Sequence, residues 1–151
     1  MHTRYWIDAR DKPALLRRMM FATAGDAHIS FEGRIASHDF PANLEASTHE
    51  TSSLKRVCFS PRMDFVVLPL ELDTVQPILD VILPNRRYLD DIIHIQIAHA
   101  DTLRFGAYDN FHRDCVVAYE GVDTNLLEEL QASGVIRSWK YAPSDQHRWH
   151  D

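Results

Sequence analysis

Glycine is scarce in this chain, with five residues among 151, at positions 25, 33, 106, 121 and 134. Neither a Gly-x-Gly-x-x-Gly turn nor a Gly-rich phosphate loop can be built from that spacing, so nucleotide-driven chemistry has no motif to stand on. The Gly-x-Ser-x-Gly elbow of the serine hydrolases is also missing. Cysteine is nearly absent: Cys58 and Cys115 could form one disulfide at most, and reduced thiols are expected in a chain this rich in aliphatic residues. Long apolar runs are lacking too. The longest, Phe65-Val66-Val67-Leu68-Pro69-Leu70, falls far short of the ~20 residues that a membrane-spanning helix requires. Nine histidines are present, but none stands in a His-Glu-x-x-His or Cys-x-x-Cys arrangement. No metal or cofactor is expected, and His147, His150 and Asp151 near the chain end are read as adventitious ligands at most.

What is present is the balance of an ordinary globular domain, 45% hydrophobic and 25% charged. The net charge is −6; residues 1–40 hold six basic and five acidic groups, residues 41–151 ten and seventeen. Such a field repels phosphate backbones and attracts basic proteins, which disfavours nucleic acid as a partner and favours a protein or a small molecule. The N-terminus, Met-His-Thr-Arg-Tyr-Trp-Ile-Asp, lacks the basic stub and apolar stretch of a secretory signal, so a cytoplasmic location is expected. We expect one domain over residues 1–142 and a polar, frayed tail over 143–151.

Pattern and punctuation predict the elements. Residues 4–7 read as a strand. Asp11 caps a helix with Pro13 in its first turn, an apolar stripe through Leu15, Leu16, Met19 and Met20, and Gly25 at its end. Residues 27–32 alternate as a half-buried strand does. Residues 35–52 show no periodicity and are read as a long loop, a candidate lid or partner-contacting segment. Residues 54–59 and 64–70 read as a hairpin about Ser60-Pro61-Arg62-Met63, its second strand confined to a sheet edge by Pro69. Asp73 is expected to cap a second helix through Val75, Ile78, Leu79 and Ile82, stopped by Pro84. Residues 92–98 and 103–108 form a hairpin about His99-Ala100-Asp101-Thr102, and 116–119 add a strand. Asp123 or Thr124 caps a third helix ending at Gly134, and 135–141 closes the order as a strand. This is the pattern of an α+β fold, a mostly antiparallel sheet with about three amphipathic helices packed on one face.

Alternation then sorts side chains. Ile29, Phe31, Ile93, Ile95, Ile97, Leu103, Phe105 and Ala107 are expected under the helices. His28, Ser30, Glu32, His94, Gln96, Arg104 and Tyr108 fall on the opposite, uncovered face. Arg and Tyr are interface-enriched types and Lys is absent from this set, which makes it the candidate binding surface. In the stretch Phe-Gly-Ala-Tyr-Asp-Asn-Phe-His-Arg-Asp-Cys, residues 105–115, the first four belong to a strand and Asp109-Asn110 to a turn, with Phe111 plugging the core. His112 and Cys115 are three apart and face opposite ways in an extended chain, so a Cys–His nucleophile is not expected there; Cys115 and Cys58 both read as structural.

The expected function is a binding or inhibitory module that engages a protein partner, plausibly a basic toxin or nuclease, through the open sheet face and the acidic surface. The alternative is a small acid/base enzyme using His94 or His28 with Glu32 beneath the 35–52 loop. A homodimer through the 135–141 strand, which carries Trp139 and Tyr141, is a third expectation.

Overall fold

The computed structural model describes residues 3–36, 38–84 and 90–143. Its strands are β1 (Thr3–Ala9), β2 (Ala27–Gly33), β3 (Asp64–Leu70), β4 (Ile92–His99), β5 (Thr102–Ala107), β6 (Val116–Tyr119) and β7 (Ile136–Pro143). Its helices are α1 (Lys12–Thr23), α2 (Val75–Ile82) and α3 (Thr124–Ala132), with one 3-10 turn over Ala42–Leu44. The strands form one sheet in the order β3-β2-β4-β5-β6-β1-β7, and every hydrogen-bonded neighbour is antiparallel. The α+β expectation is borne out.

Why all three helices share a face follows from the connections. Each helix joins two mutually parallel strands that are not adjacent: α1 links β1 to β2, α2 links β3 to β4 across β2, and α3 links β6 to β7 across β1. Between the first crossover and the other two, the strand direction reverses and so does the direction of travel across the sheet. A common right-handed crossover therefore delivers every helix to the same side. Leu15, Leu16, Met19 and Met20 of α1, Ile78 and Leu79 of α2, and Leu127 and Leu130 of α3 accordingly share one core with Ile7, Ile29, Phe31, Leu68, Ile95, Ile97 and Phe105. Polar links tie the layer laterally: Arg17 donates to Gln76 on α2, and Arg18 pairs with Glu129 on α3.

The helix ends follow their chemistry. Asp11 accepts the Ala14 amide and Asp123 the Asn125 amide, as N-caps do. At α2 the cap position is Thr74, not Asp73; its hydroxyl accepts the Glu71 N–H and lies 3.0 Å from the Pro69 carbonyl, tying the β3–α2 turn.

The expected strand at 54–59 does not form. Its amides are drawn instead to side chains of the sheet: Lys55 donates to Gln96, and Val57 and Cys58 donate to Glu32, leaving only a bridge between Phe59 and Arg62 at the turn. The described residues between Arg34 and Met63 wrap the β3 edge. Ile35 and Leu44 enter the helix-side core, Ser47 exchanges both backbone hydrogen bonds with Val67 (2.7 and 2.9 Å), and Leu54 then packs on the other face with Phe65, Val67 and Ala98. Pro69 has the same backbone parity as Val67, so its missing N–H points outward at this edge, as its ring requires.

Two bulges move side chains that strict alternation had misplaced. Glu32 pairs with His94 but Gly33 with Ile92, so Ile92 enters the helix-side core while Ile93 stays half-buried outside it. Ile97 pairs with Phe105 but Ala98 with Leu103, which places Leu103 among Leu54, Phe65, Val67 and Ala98, not beneath the helices. The expected tail beyond 143, with His147, His150 and Asp151, and residues 85–89 lie outside the described residues. Among the described residues no helix is long and apolar enough to cross a membrane.

Candidate functional site

The face opposite the helices is polar at its centre, as alternation predicts, but it is not open. Ser30, Glu32, His94, Gln96 and Tyr108 are all buried, whereas His28 is exposed and Arg104 half-buried. Over Glu32, His94 and Gln96 lies the later part of the wrapping segment, where Lys55, Val57 and Cys58 meet them, whereas Tyr108 packs with Trp6, Cys115, Val117 and Ala142. The lower strands thus supply polar side chains, and the covering chain supplies backbone donors to meet them.

Glu32 is the hub of this layer. Although its residue is 1% exposed, its Oε1 accepts the Val57 amide at 2.8 Å and its Oε2 the Cys58 amide at 3.0 Å. Both oxygens act as acceptors, the pattern of an ionised carboxylate. Next to it, Nε2 of His94 lies 3.1 Å from Sγ of Cys58, and the Asp109 amide donates to Nδ1 of His94 at 3.2 Å. An N–H aimed at Nδ1 leaves that nitrogen as the acceptor, so the neutral ring carries its proton on Nε2 and donates it to the Cys58 sulfur.

The electrostatics agree with that assignment. Burial lowers the His94 pKa, and the nearby Glu32 and Asp109 charges offset this only in part. Burial, Glu32 and Asp109 together raise the Cys58 thiol above its ordinary value. A thiolate–imidazolium pair would need a proton on Nδ1, pointing at the Asp109 N–H. This Cys–His contact is therefore a neutral hydrogen bond and not an activated nucleophile.

The stretch 105–115 explains how Asp109 comes to face His94. Asp109, Asn110 and Phe111 all adopt left-handed backbone, with φ of 52°, 53° and 60°. Contacts on Asn110 hold the turn: its amide bonds the Ile93 carbonyl at 2.7 Å, its side chain donates to the Ile92 carbonyl at 2.9 Å, and Lys12 of α1 donates to its carbonyl at 2.9 Å and to its Oδ1 at 3.0 Å. Phe111 is buried in the helix-side core, as expected, and Cys115 is a buried residue leading into β6. His112 is exposed, and its Nδ1 accepts the Asp114 amide.

Tyr108 folds back over β5. A Cβ on Gly106 would sit 2.6 Å from the Tyr108 ring, so only glycine fits beneath it. Its hydroxyl meets that of Tyr119 at 3.4 Å, and its side chain also hydrogen-bonds Gln96. Burial first, then Tyr119, pushes the Tyr108 phenol well above its ordinary value. Tyr108 and Trp6, Cys115, Val117 and Ala142 form a second small core on this face.

Of the seven candidate side chains, the structure brings five together: Ser30, Glu32, His94, Gln96 and Tyr108. His28 sits four residues from Glu32 along β2, about 13 Å away at strand rise, against a small cavity lined by Asp26, Thr51 and Asp101. Arg104 is the residue left over at the β4–β5 bulge, and it turns to the end of β6, where it donates to the Glu120 carbonyl at 2.6 Å. The partner that sequence reasoning missed is Cys58. Its placement beside His94 follows from the Glu32–amide contacts, which no local pattern announces. Among the described residues, no group of three or more His, Cys, Asp or Glu side chains is arranged to hold a metal ion.

Comparison with known protein families, curated proteins and solved structures returned no match for this chain, so the reading of its site rests on its own residues.

Proposed function

We propose that the chain is a binding or inhibitory module that engages a protein partner, and that the surface it presents is the tip of the covering segment, residues 57–62. The observation that carries this reading is Phe59. It is 70% exposed, beside Val57 at 39%, yet the residue before it is held from below by both its backbone, through Glu32, and its sulfur, through His94. An aromatic side chain on a backbone already ordered in the free protein loses little entropy on docking, which is the economy that interface anchors exploit. The net charge of −6 favours a basic partner, of which toxins and nucleases are the obvious class.

The enzyme alternative has less support. Both Glu32 oxygens and both His94 nitrogens already have partners, and exposed His28 lies apart from them. Self-association through β7 is favoured by one specific observation. The β3 edge is closed by Ser47 and Pro69, while β7 pairs only with β1 among the described strands and exposes Tyr141.

The deciding experiment is recovery of a partner from the native host on the intact chain and on Phe59→Ala. The expected result is at least a tenfold loss of affinity, about 1.4 kcal/mol, with the melting temperature unchanged. Equal recovery on both baits would remove the tip as the docking surface.

A further inference from the structure

Segments far apart in sequence meet on the His94 imidazole. The Asp109 amide, in the turn that leads from β5 to β6, donates to Nδ1 at 3.2 Å, and Nε2 lies 3.1 Å from Sγ of Cys58 in the covering segment. Directly opposite His94 on β2 stands Glu32, whose two oxygens hold the Val57 and Cys58 amides. One ring thus touches the 109–111 turn, the sulfur beneath Phe59 and the strand neighbour that carries the tip. The neutral ring suits this position, with Nδ1 as acceptor and Nε2 as donor.

Protonation breaks that match at one atom. An imidazolium carries a proton on each nitrogen, so Nδ1–H would point at the Asp109 N–H, donor against donor. The groups around the ring decide where it turns. Tyr108, whose ring centre is 5.8 Å away, and Cys58 both hold their protons more tightly than usual, through burial above all, and stay uncharged. Lys12 is engaged with the carbonyl and side chain of Asn110. The charges that act on His94 are the carboxylates of Glu32 and Asp109. Of these, Asp109 belongs to the turn whose amide the imidazolium opposes, whereas Glu32 is 1% exposed and faces His94 across the ladder, where Cβ atoms lie about 4.5–5.5 Å apart. A cation competes well with an amide for such a carboxylate, because attraction between full charges adds to the hydrogen bond where water is excluded.

We propose that His94 is a proton-operated latch on the docking tip: neutral, it bridges the Asp109 turn and Cys58 and leaves Glu32 to the amides of residues 57 and 58; protonated, it turns from the Asp109 amide to Glu32 and loosens residues 57–62. The inference rests on the reading of that tip as the docking surface, and it makes docking weaken in mild acid. Because burial outweighs the two carboxylates at His94, the transition falls below the ordinary imidazole value of 6.5.

The test is an NMR titration of the intact free chain from about pH 8 to about pH 5, the range in which imidazole changes charge, with amide hydrogen exchange corrected at each pH for the intrinsic rate. The expected result is at least a tenfold loss of protection at the 57 and 58 amides, with the midpoint of the His94 ring signals, while the β2–β4 ladder keeps its protection. Protection at 57 and 58 that is unchanged through the His94 midpoint overturns the proposal. In His94→Gln the side-chain oxygen can accept the Asp109 amide and the NH₂ group can donate to Cys58 without titrating, so the two amides should stay protected to the acid end; their loss there at the same pH assigns the transition to another group and also overturns it. A measurement on the unsubstituted chain needs no variant: the ring-nitrogen shifts above the transition should report the Nε2–H tautomer, and an Nδ1–H tautomer removes the donor clash and the proposal with it. A flat titration leaves the Phe59→Ala comparison untouched, and equal recovery on both baits leaves the titration as it is, so the two failures are separate.

Discussion

Glu32→Gln isolates the contact on which the covered face depends. The substitution keeps the size and shape of the side chain but exchanges one acceptor oxygen for an NH₂ group, so one of the two amides at Val57 and Cys58 loses its acceptor and meets a donor instead. A hydrogen bond to a charged group contributes about 1.5–3 kcal/mol, and an unmet donor adds a desolvation cost where water cannot reach it. Val57 and Cys58 are partly exposed, so water offsets some of that second cost. The expected destabilisation is therefore about 2–3 kcal/mol, which for a domain of this size lowers the melting temperature by roughly 4–12 °C. Hydrogen exchange places the effect: the 57 and 58 amides should exchange faster in the variant, while those of the β2–β4 ladder keep their relative order of protection. If the melting temperature moves by less than a degree and the two amides stay protected, the covering segment is not held by Glu32, and the fixed presentation of Phe59 loses its basis.

Four further outcomes follow from the same contacts. Because the folded state lowers the His94 pKa, the unfolded chain binds the proton more readily, so this residue's contribution is fully present above the ordinary imidazole value of 6.5 and is lost as pH falls below it; His94→Gln should flatten that part of the stability–pH curve in chemical denaturation. Leu54→Ala, at a fully buried position that seals the wrapping segment to Phe65 and Val67, should cost about 2–5 kcal/mol, measured by urea unfolding. Gly106→Ala drives a methyl group into the Tyr108 ring and should cost about 1–3 kcal/mol with a changed near-ultraviolet dichroism; an unperturbed spectrum would contradict the stacking. Cys58 should alkylate more slowly than an unperturbed thiol at neutral pH, with a rate that continues to climb past the ordinary thiol value of 9.0, since burial and two carboxylates hold its proton.

Local pattern alone settled much of this architecture. Period-two alternation assigned Ile29, Phe31, Ile95, Ile97, Phe105 and Ala107 to the helix side and Ser30, Glu32, His94, Gln96 and Tyr108 to the other, because successive strand side chains must point to opposite faces whatever the rest of the chain does. Asp11, Asp123 and Pro69 marked their helix starts and sheet edge for equally local reasons. The tertiary structure decided the rest. Whether the polar face met water depended on a segment 25 or more residues away, whose amides had a choice between a β-ladder and the Glu32 carboxylate; the energies of those choices differ by long-range geometry that no window of sequence contains. Bulges at Ile93 and Arg104 shifted register by single residues for the same reason, and the meeting of Cys58 with His94, 36 positions apart, came into being only when the wrapped segment closed over the sheet.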